Sequence, residues 1–382
     1  MYEFVVPCNF ALEAVVGREI EAMGYEIVKK EDGRVTFRGD DTAFAKANIW
    51  LRSGERLLLK MAEFKAVTFE ELFQGVMKIK WENFIPLRGE FPVSKAASTK
   101  SLLFSTSDIQ AITKKAVVEA LKRKHDVNSF PEDGELYPIH VFFMKDMCSV
   151  YMDCSGVALH KRGYRTEANI APLKETIAAS LVQLTPWRMG RDLIDLFCGS
   201  GTIVIEAALI GMNMAPGIKR EFLAEKWSFV KSGVFDEARR EAKAGVKPWV
   251  GPKIIGVDIV PEYIEMSKRN AERAGVTDAC EFIASDFRAI KIVSEYGFVI
   301  SNPPYGERME TENLDEMYRD IGKMIKRYMT WSFYILNGNE LFERTLGKKA
   351  ERVRKLYNSM MKAYYYQYPG VRPPKKDVKQ DL

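Results

Sequence analysis

An Asn-Pro-Pro-Tyr turn, Asn302 to Tyr305, is the stretch of this chain most suited to chemistry. It ends an apolar run in residues 298–308, FVISNPPYGER, which predicts a buried strand that delivers the turn to its carboxyl end. The Asn302 side-chain oxygen and the Pro303 carbonyl can each accept a hydrogen from a nucleobase amine and so direct the nitrogen lone pair at an incoming methyl group. Tyr305 offers a flat face for the base. Alternatively, Asn302 and Pro303 only end the strand and Tyr305 is packing.

Three earlier strands are also followed by polar or glycine residues. A glycine turn with Gly199 and Gly201 follows a strand that carries Asp195, but Val204 stands where a dinucleotide fingerprint has its third glycine. A pyrophosphate is therefore disfavoured, and a cofactor without phosphate, such as S-adenosyl-L-methionine, is favoured. We expect Asp195 to approach its ammonium group. Two further strands predict contacts with the ribose hydroxyls and the adenine of that cofactor, made by Asp258, Asp286 and Phe287.

Composition excludes several other classes of site. The five cysteines include no CxxC pair and the three histidines have no partner at metal-ligand spacing, so we expect neither a disulfide framework nor a metal site. No run approaches the roughly 18 apolar residues of a membrane span, and the first residues lack the pattern of a signal peptide. We therefore expect a cytoplasmic protein without a membrane partner. The net charge of +5 in 382 residues does not by itself indicate a nucleic-acid partner.

The first half of the chain predicts two small α+β modules. Strands and helices alternate in residues 1–64 in the outline of a ferredoxin-like region, and the alternation continues in residues 65–155. Seven Lys or Arg and two acidic residues lie between positions 95 and 125. This bias predicts a phosphate-binding patch or, alternatively, a solvated helix face; its members are Lys114, Lys115, Lys122, Arg123 and Lys124.

Two further basic residues, Arg162 and Arg165, lie in the connector to the second half. They predict either a surface that faces RNA or cofactor, or a brace between domains. In the second half, the separation of Gly199 from Asp258 is too long for a simple βαβ unit, which predicts an insertion within residues 212–252 that is helical from about Trp227 to Ala244.

The assembled motifs resemble those of THUMP-containing, Rossmann-fold RNA methyltransferases, and most closely those of the ribosomal large-subunit (23S) rRNA guanine-N2 methyltransferases. The resemblance rests on DLFCGSGT, GVDI, SDF and NPPYGER, and on a basic segment similar to the THUMP module. It implies a Rossmann-like class I methyltransferase domain over residues 156–382, with a THUMP RNA-binding domain at residues 65–155. It also implies S-adenosyl-L-methionine as methyl donor and ribosomal RNA, or a ribosomal assembly intermediate, as partner.

Three other functions stay open at this point. N6-adenine methylation of DNA or RNA uses the same Asn-Pro-Pro-Tyr geometry. C5-pyrimidine methylation needs a cysteine nucleophile, and Cys198 lies in the cofactor turn rather than near Asn302. A non-catalytic RNA-binding assembly factor would have an eroded site, whereas every expected polar position is filled here. The sequence does not determine the target nucleotide, the form of the substrate or the oligomeric state.

Overall fold

The computed structural model describes residues 1–127, 129–166, 173–305, 311–358 and 361–374. The end of the predicted FVISNPPYGER segment and part of the connector after Arg165 therefore lie outside the described residues. The chain forms two compact units. The first contains Met1–Cys8, Val16–Leu159 and Pro216–Ala244, and the second contains Asn9–Val15, His160–Ala215 and Gly245–Leu382.

The first half of the chain supplies seven strands and four helices. In chain order they are β1 (Tyr2–Pro7), α1 (Glu13–Ala22), β2 (Glu26–Glu31), β3 (Arg34–Gly39), α2 (Asp41–Trp50), β4 (Leu58–Lys65), α3 (Phe69–Met77), β5 (Val93–Thr99), α4 (Thr106–His125), β6 (Ile139–Met144) and β7 (Met147–Asp153). The strands form one sheet in the order β2-β3-β1-β4-β7-β6-β5. Neighbouring strands are antiparallel except for β5 and β6.

Strand β4 connects the two modules that were predicted in this half. It pairs with β1 along one edge and with β7 along the other. The predicted boundary at residue 65 therefore falls at the end of a strand that both modules share. The sequence also failed to predict β2, an edge strand whose residues are all at least partly exposed and which therefore lacks an apolar repeat.

The second half supplies the remaining elements. These are α5 (Glu175–Gln183), β8 (Leu193–Asp195), α6 (Thr202–Gly211), α7 (Val234–Ala244), β9 (Ile254–Asp258), α8 (Pro261–Ala274), β10 (Cys280–Ala284), β11 (Phe298–Ser301), α9 (Thr311–Arg327), β12 (Ser332–Asn337), α10 (Phe342–Leu346), β13 (Arg352–Asn358) and β14 (Met361–Tyr368). The strands are ordered β10-β9-β8-β11-β12-β14-β13, and the five strands from β10 to β12 are parallel.

Helices cover both faces of this second sheet. One core cluster contains residues of α5, α6 and α8, and the other contains residues of α9 and α10. The strand order reverses between β8 and β11, which are neighbours although they are far apart in sequence. The loops at the carboxyl ends of these two strands diverge, and ligands bind at such a switch point in open α/β sheets. The predicted Rossmann-like α/β fold is confirmed.

The predicted insertion belongs to the first unit. Trp227 is buried, its ring stacks on Tyr137 at 5.4 Å between centroids, and its indole N–H donates to the Leu136 carbonyl at 2.9 Å. The helix is shorter than predicted, because only Val234–Ala244 is helical and the preceding residues form a 3-10 turn and loop. The predicted 156–382 domain is thus interrupted by a segment that packs within the other unit.

Candidate active site

The glycine turn after β8 is held by α8. The turn begins after Asp195, and both Gly199 and Gly201 have positive φ, at 53° and 80°. A Cβ atom on Gly201 would lie 3.0 Å from the Ser267 Cβ, so a side chain at that position would crowd α8. Ser267 donates its hydroxyl to the Gly199 carbonyl at 2.7 Å, and Asn270 donates to the Ser200 carbonyl at 3.0 Å. The turn is therefore fixed before any ligand arrives.

Asp258 closes the same turn from the end of β9. One carboxylate oxygen accepts from the Gly199 N–H at 2.9 Å, and the other accepts from the Val260 N–H at 3.0 Å. Burial raises the pKa of Asp258 above its usual value. The carboxylate keeps further lone pairs on the cavity side, which suits acceptance from paired hydroxyl groups.

Asp195 is the most deeply buried acid of the site. Asp195 is 1% exposed, and this burial raises the pKa of its carboxyl group to about 7. The carboxylate is hydrogen bonded to the Ser301 hydroxyl and accepts from the Phe197 N–H at 3.1 Å. A cation beside this group would favour its ionised form, so the site is chemically suited to a positively charged ligand.

Asp286 and Phe287 begin the 3-10 turn after β10. The Phe287 ring is buried against Phe197 at 4.9 Å between centroids. Asp286 accepts from the Arg288 N–H at 2.8 Å and forms an ion pair with the Arg288 guanidinium at 2.9 Å. Arg288 also contacts Asp320 at 2.6 Å. The sequence did not predict Arg288 as part of the site. This arginine orients Asp286, the acid expected to contact adenine.

Asn302 follows β11 directly and carries a buried acceptor. Its side-chain oxygen is shielded from solvent, and it accepts no hydrogen bond from the part of the chain that the structure describes. Leaving a buried carbonyl unsatisfied costs about 1–3 kcal/mol, so most such groups in native proteins bind a protein group, a water or a ligand. A ligand amine in the adjacent cavity would satisfy this acceptor.

The rest of the Asn-Pro-Pro-Tyr turn is held from α9 and β12. Tyr318 donates its hydroxyl to the Pro304 carbonyl at 3.1 Å, and Asn337, which is fully buried, donates to the same hydroxyl oxygen at 3.2 Å. Tyr305 is 6% exposed, and a Cβ atom on Gly338 would lie 2.7 Å from its ring. Tyr305 therefore packs against the Gly338 backbone rather than presenting an open face.

One cavity of about 1000 Å³ brings most of these groups together. Its walls include six of the nine residues predicted for catalysis and cofactor binding, namely Asp195, Gly199, Asp258, Asp286, Phe287 and Asn302. Within the described residues, the walls do not include Gly201, Pro303 or Tyr305. They include Pro304 of the Asn-Pro-Pro-Tyr turn, and they add residues that no sequence motif indicated, among them Tyr263 from α8 and Asn313, Glu316 and Met317 from α9.

The prediction that Arg162 and Arg165 form an RNA-facing surface is wrong, because both side chains pair with buried glutamates. Arg162 is 6% exposed and lies 3.4 Å from the fully buried carboxylate of Glu206. Arg165 pairs with buried Glu175 at 3.0 Å and donates to the Leu173 carbonyl at 2.9 Å. Buried arginines need such partners because an isolated charge is strongly disfavoured in the interior. Both residues brace the inside of the second unit and neither offers its charge to RNA.

The predicted basic patch on α4 is only partly available. Lys114 contacts Glu132 at 2.6 Å and lies over the Phe91 ring, and Lys122 contacts Glu119 at 3.0 Å. The exposed members are Lys115, Arg123 and Lys124. Arg123 and Lys124 lie in the last turn of α4, where a cation also stabilises the helix dipole.

The described ranges hold neither a metal-ligand cluster nor a membrane-spanning helix. Residues 1–127, 129–166, 173–305, 311–358 and 361–374 contain no group of three or more His, Cys, Asp or Glu placed to hold a metal ion. Over the same ranges, no helix is long and apolar enough to cross a bilayer.

Three family models match this chain in succession. An RlmL ferredoxin-like domain matches residues 3–58, a THUMP domain matches residues 66–153, and the RMKL-like methyltransferase domain family, UPF0020, matches residues 162–367. The order of the modules agrees with the order predicted from the sequence. The third match covers more than half of the chain and includes all the residues that surround the cavity.

Similar proteins extend the likeness over the whole chain. YpsC of Bacillus subtilis, which carries the provisional name of an RNA methyltransferase, is 42% identical over 98% of both chains. Ribosomal RNA large subunit methyltransferase K/L of Buchnera aphidicola is 31% identical over 90% of this chain but only 50% of its own length. The solved structure of SMU.472, a provisionally assigned methyltransferase in complex with SAH, is 40% identical, covers 98% of this chain and 99% of its own, and has a TM-score of 0.93.

These matches agree with the cavity at the switch point of the second sheet, and the predicted THUMP and methyltransferase resemblance is confirmed. The chain belongs to the RMKL-like methyltransferase family, with an RlmL ferredoxin-like domain and a THUMP domain before its S-adenosyl-L-methionine-dependent methyltransferase domain.

Proposed function

We propose that this protein methylates the exocyclic N2 amine of a guanine in RNA, and that its substrate is 23S ribosomal RNA. The single observation that carries the proposal is the buried side-chain oxygen of Asn302, which lies on the cavity wall without a hydrogen-bond donor among the described residues. An amine hydrogen is the donor that this acceptor lacks. S-adenosyl-L-methionine, when bound, supplies an electrophilic methyl group on its sulfonium.

Two acceptors are needed to prepare the amine, because its lone pair is delocalised into the ring of the base. Asn302 supplies the first. We assign the second to the Pro303 carbonyl, and the hydrogen bond from the Tyr318 hydroxyl to the next carbonyl, that of Pro304, holds the turn that carries it. Neither proline has an N–H, and both have a fixed φ, so the turn resists rearrangement when a base enters. The gain in rate comes from positioning and from preorganised acceptors.

The cofactor contacts are assigned to the polar groups on the cavity wall. We assign Asp195 to the ammonium group of the donor, Asp258 to the ribose hydroxyls, and Asp286 with Phe287 to the adenine. Gly199 and Gly201 shape the turn that approaches the donor. The fixed turn and the buried carboxyls of Asp195 and Asp258 support these assignments.

RNA as the substrate class is supported by the relatives. YpsC is named as an RNA methyltransferase, and the Buchnera protein is named for the large ribosomal RNA. This chain spans about half the length of the Buchnera protein, so the proposal takes a single activity from it.

Tyr305 packs against Gly338 in the structure, and its stacking role would require the ring to turn toward the base.

An inosine substitution tests the choice of amine directly. Inosine has the guanine ring without the N2 amine, so a transcript made with inosine in place of guanosine offers no N2 acceptor. We expect methyl incorporation into the guanosine transcript and none into the inosine transcript. Methylation of both would contradict the proposal and favour N6 of adenine, which both transcripts contain.

A further inference from the structure

Four strands of the first sheet end side by side, and exposed apolar and basic side chains gather there. The register places Lys65 of β4 opposite Met147, Met147 opposite Met144, and Met144 opposite Thr99 at the end of β5. The loop from β5 to α4 continues from this edge. We call the group the strand-end patch, and its members are Lys100, Leu102, Phe104, Met144, Lys145 and Met147.

The apolar members of the patch are unusually open to solvent. Phe104 is 79% exposed, Leu102 is 66% exposed, and Met144 and Met147 are 42% and 40% exposed. Single exposed apolar residues are common on protein surfaces, but a group of them marks an interaction site. An aromatic ring at the surface also offers a stacking face.

Hydrogen bonds hold the patch in one conformation. Asp146 accepts from the Leu102 N–H at 2.7 Å and donates its own N–H to Ser101 at 2.9 Å. The Ser98 hydroxyl donates to the Leu103 carbonyl at 2.5 Å. The loop is therefore bonded to the β6–β7 hairpin at Ser101 and Leu102, and to β5 at Leu103. A surface that is already ordered loses less conformational entropy when it binds.

The charge of the patch is positive and available. Lys100 and Lys145 are exposed, and over the described ranges neither has a carboxylate within 4.0 Å. The adjacent acid, Asp146, accepts from the Leu102 N–H and keeps its negative charge, but the two lysines outnumber it. In contrast, Lys114 and Lys122 of the predicted patch each contact a glutamate. Lys145 also has φ of 51° in a two-residue hairpin loop, a position that favours Asn or Gly over Lys.

We propose that the strand-end patch binds an unpaired segment of the RNA substrate, with a base stacked on Phe104 and phosphates beside Lys100 and Lys145. The inference rests on the proposed function for the choice of RNA. Unpaired RNA exposes base faces that stack on aromatic side chains, whereas a duplex hides them and offers mainly phosphates and hydroxyls. An exposed phenylalanine in the loop that carries Lys100, which is hydrogen bonded to the hairpin that carries Lys145, therefore suits a single strand.

The test measures binding of a guanine-free probe, so that it does not depend on the methylated base. Fluorescence anisotropy is recorded with an oligouridylate of about twelve nucleotides and with an RNA duplex of about the same charge. Phe104→Ala should weaken oligouridylate binding about five- to a hundredfold and leave duplex binding nearly unchanged. Phe104→Trp keeps a stacking face and should retain binding. An unchanged circular dichroism spectrum and an unchanged urea midpoint show that each variant is folded.

A matched pair of charge variants separates the two basic surfaces. Lys100→Gln with Lys145→Gln should weaken binding and reduce the slope of log affinity against log salt by about 0.7 for each phosphate that is no longer neutralised. Arg123→Gln with Lys124→Gln removes the same charge from α4 and should have a smaller effect. Two results would refute RNA binding at the strand-end patch. One is wild-type affinity for oligouridylate in Phe104→Ala, and the other is a larger loss of affinity in the α4 double variant than in the Lys100 and Lys145 double variant.

The proposed function and the patch fail in different ways. If the wild-type protein binds oligouridylate through Phe104 but does not methylate guanine, the patch stands and the proposed chemistry falls. If guanine N2 is methylated and Phe104→Ala binds oligouridylate as the wild type does, only the patch is refuted.

Discussion

Asp195 gives a prediction about the pH dependence of cofactor binding. Burial raises the pKa of this carboxyl to about 7, and the contact proposed for it is the ammonium group of the ligand. Only the ionised carboxylate attracts that cation, so affinity should rise as pH rises through 7. With a pKa of about 7, roughly a tenth of the carboxyl is ionised at about pH 6 and roughly three quarters at about pH 7.5. Because apparent affinity scales with the competent fraction, binding should strengthen about eightfold over this range.

Asp195→Asn is the variant that isolates the effect. The amide has nearly the same shape but no charge, so affinity at about pH 7.5 should fall about tenfold or more, as expected when a hydrogen bond to a charged group is removed. The dependence on pH should also disappear. The ammonium group of the ligand remains mostly protonated up to about pH 7.5, since α-amino groups titrate near 8.

Isothermal titration calorimetry with SAH across this pH range makes the measurement. A matched control is Glu265→Asn, a change at an exposed residue of α8 that should keep the wild-type profile. A flat profile in the wild-type protein, or an equal slope in Asp195→Asn, would refute the assignment of this carboxylate to the ammonium.

Three more variants test other parts of the site. Asn302→Ala should lose about a hundred- to a thousandfold in methyl transfer while SAH still binds, and retention of activity would remove Asn302 from the mechanism. Cys198→Ser should remain active, because burial raises the pKa of the Cys198 thiol far above neutral and no thiolate forms; an inactive but folded variant would favour covalent catalysis. Glu206→Gln removes the carboxylate that offsets buried Arg162 and should cost about 3 kcal/mol in the free energy of unfolding by urea; an unchanged midpoint would contradict that role.

The sequence predicted the elements whose residues show a clear apolar repeat or a clear end signal. An apolar stripe predicts one helix from Ser107 to Lys124, and Pro261 and Gly275 predict another from Pro261 to about Ala274. The observed bounds of α4 and α8 differ from these by one residue at most. Strand β2 was missed because all of its residues are at least partly exposed, so no alternation of buried and exposed residues appears. An insertion was predicted within residues 212–252, and its Pro216–Ala244 part belongs to the first unit. That placement depends on contacts such as the one between Trp227 and Tyr137, and the sequence holds no signal for this pairing.

The same limit applies to the site. Residues at the carboxyl ends of strands, such as Asp258 and Asn302, were predictable because parallel strands bring these ends to one edge of a sheet. Arg162 was misplaced because its partner, Glu206, is 44 positions away and only the folded chain pairs them. No motif indicates Tyr318 either, although its hydroxyl donates to the Pro304 carbonyl. Whether a charged or polar group serves the surface or the interior depends on such distant partners.

The most direct test of the central claim is the identity of the methylated nucleoside. Labelled methyl transfer from S-adenosyl-L-methionine to unmodified ribosomal RNA and to DNA would be run in parallel, and the products digested for nucleoside mass spectrometry. We predict N2-methylguanosine from the RNA and no labelled nucleoside from the DNA. N6-methyladenine from either nucleic acid, without N2-methylguanosine, would contradict the account.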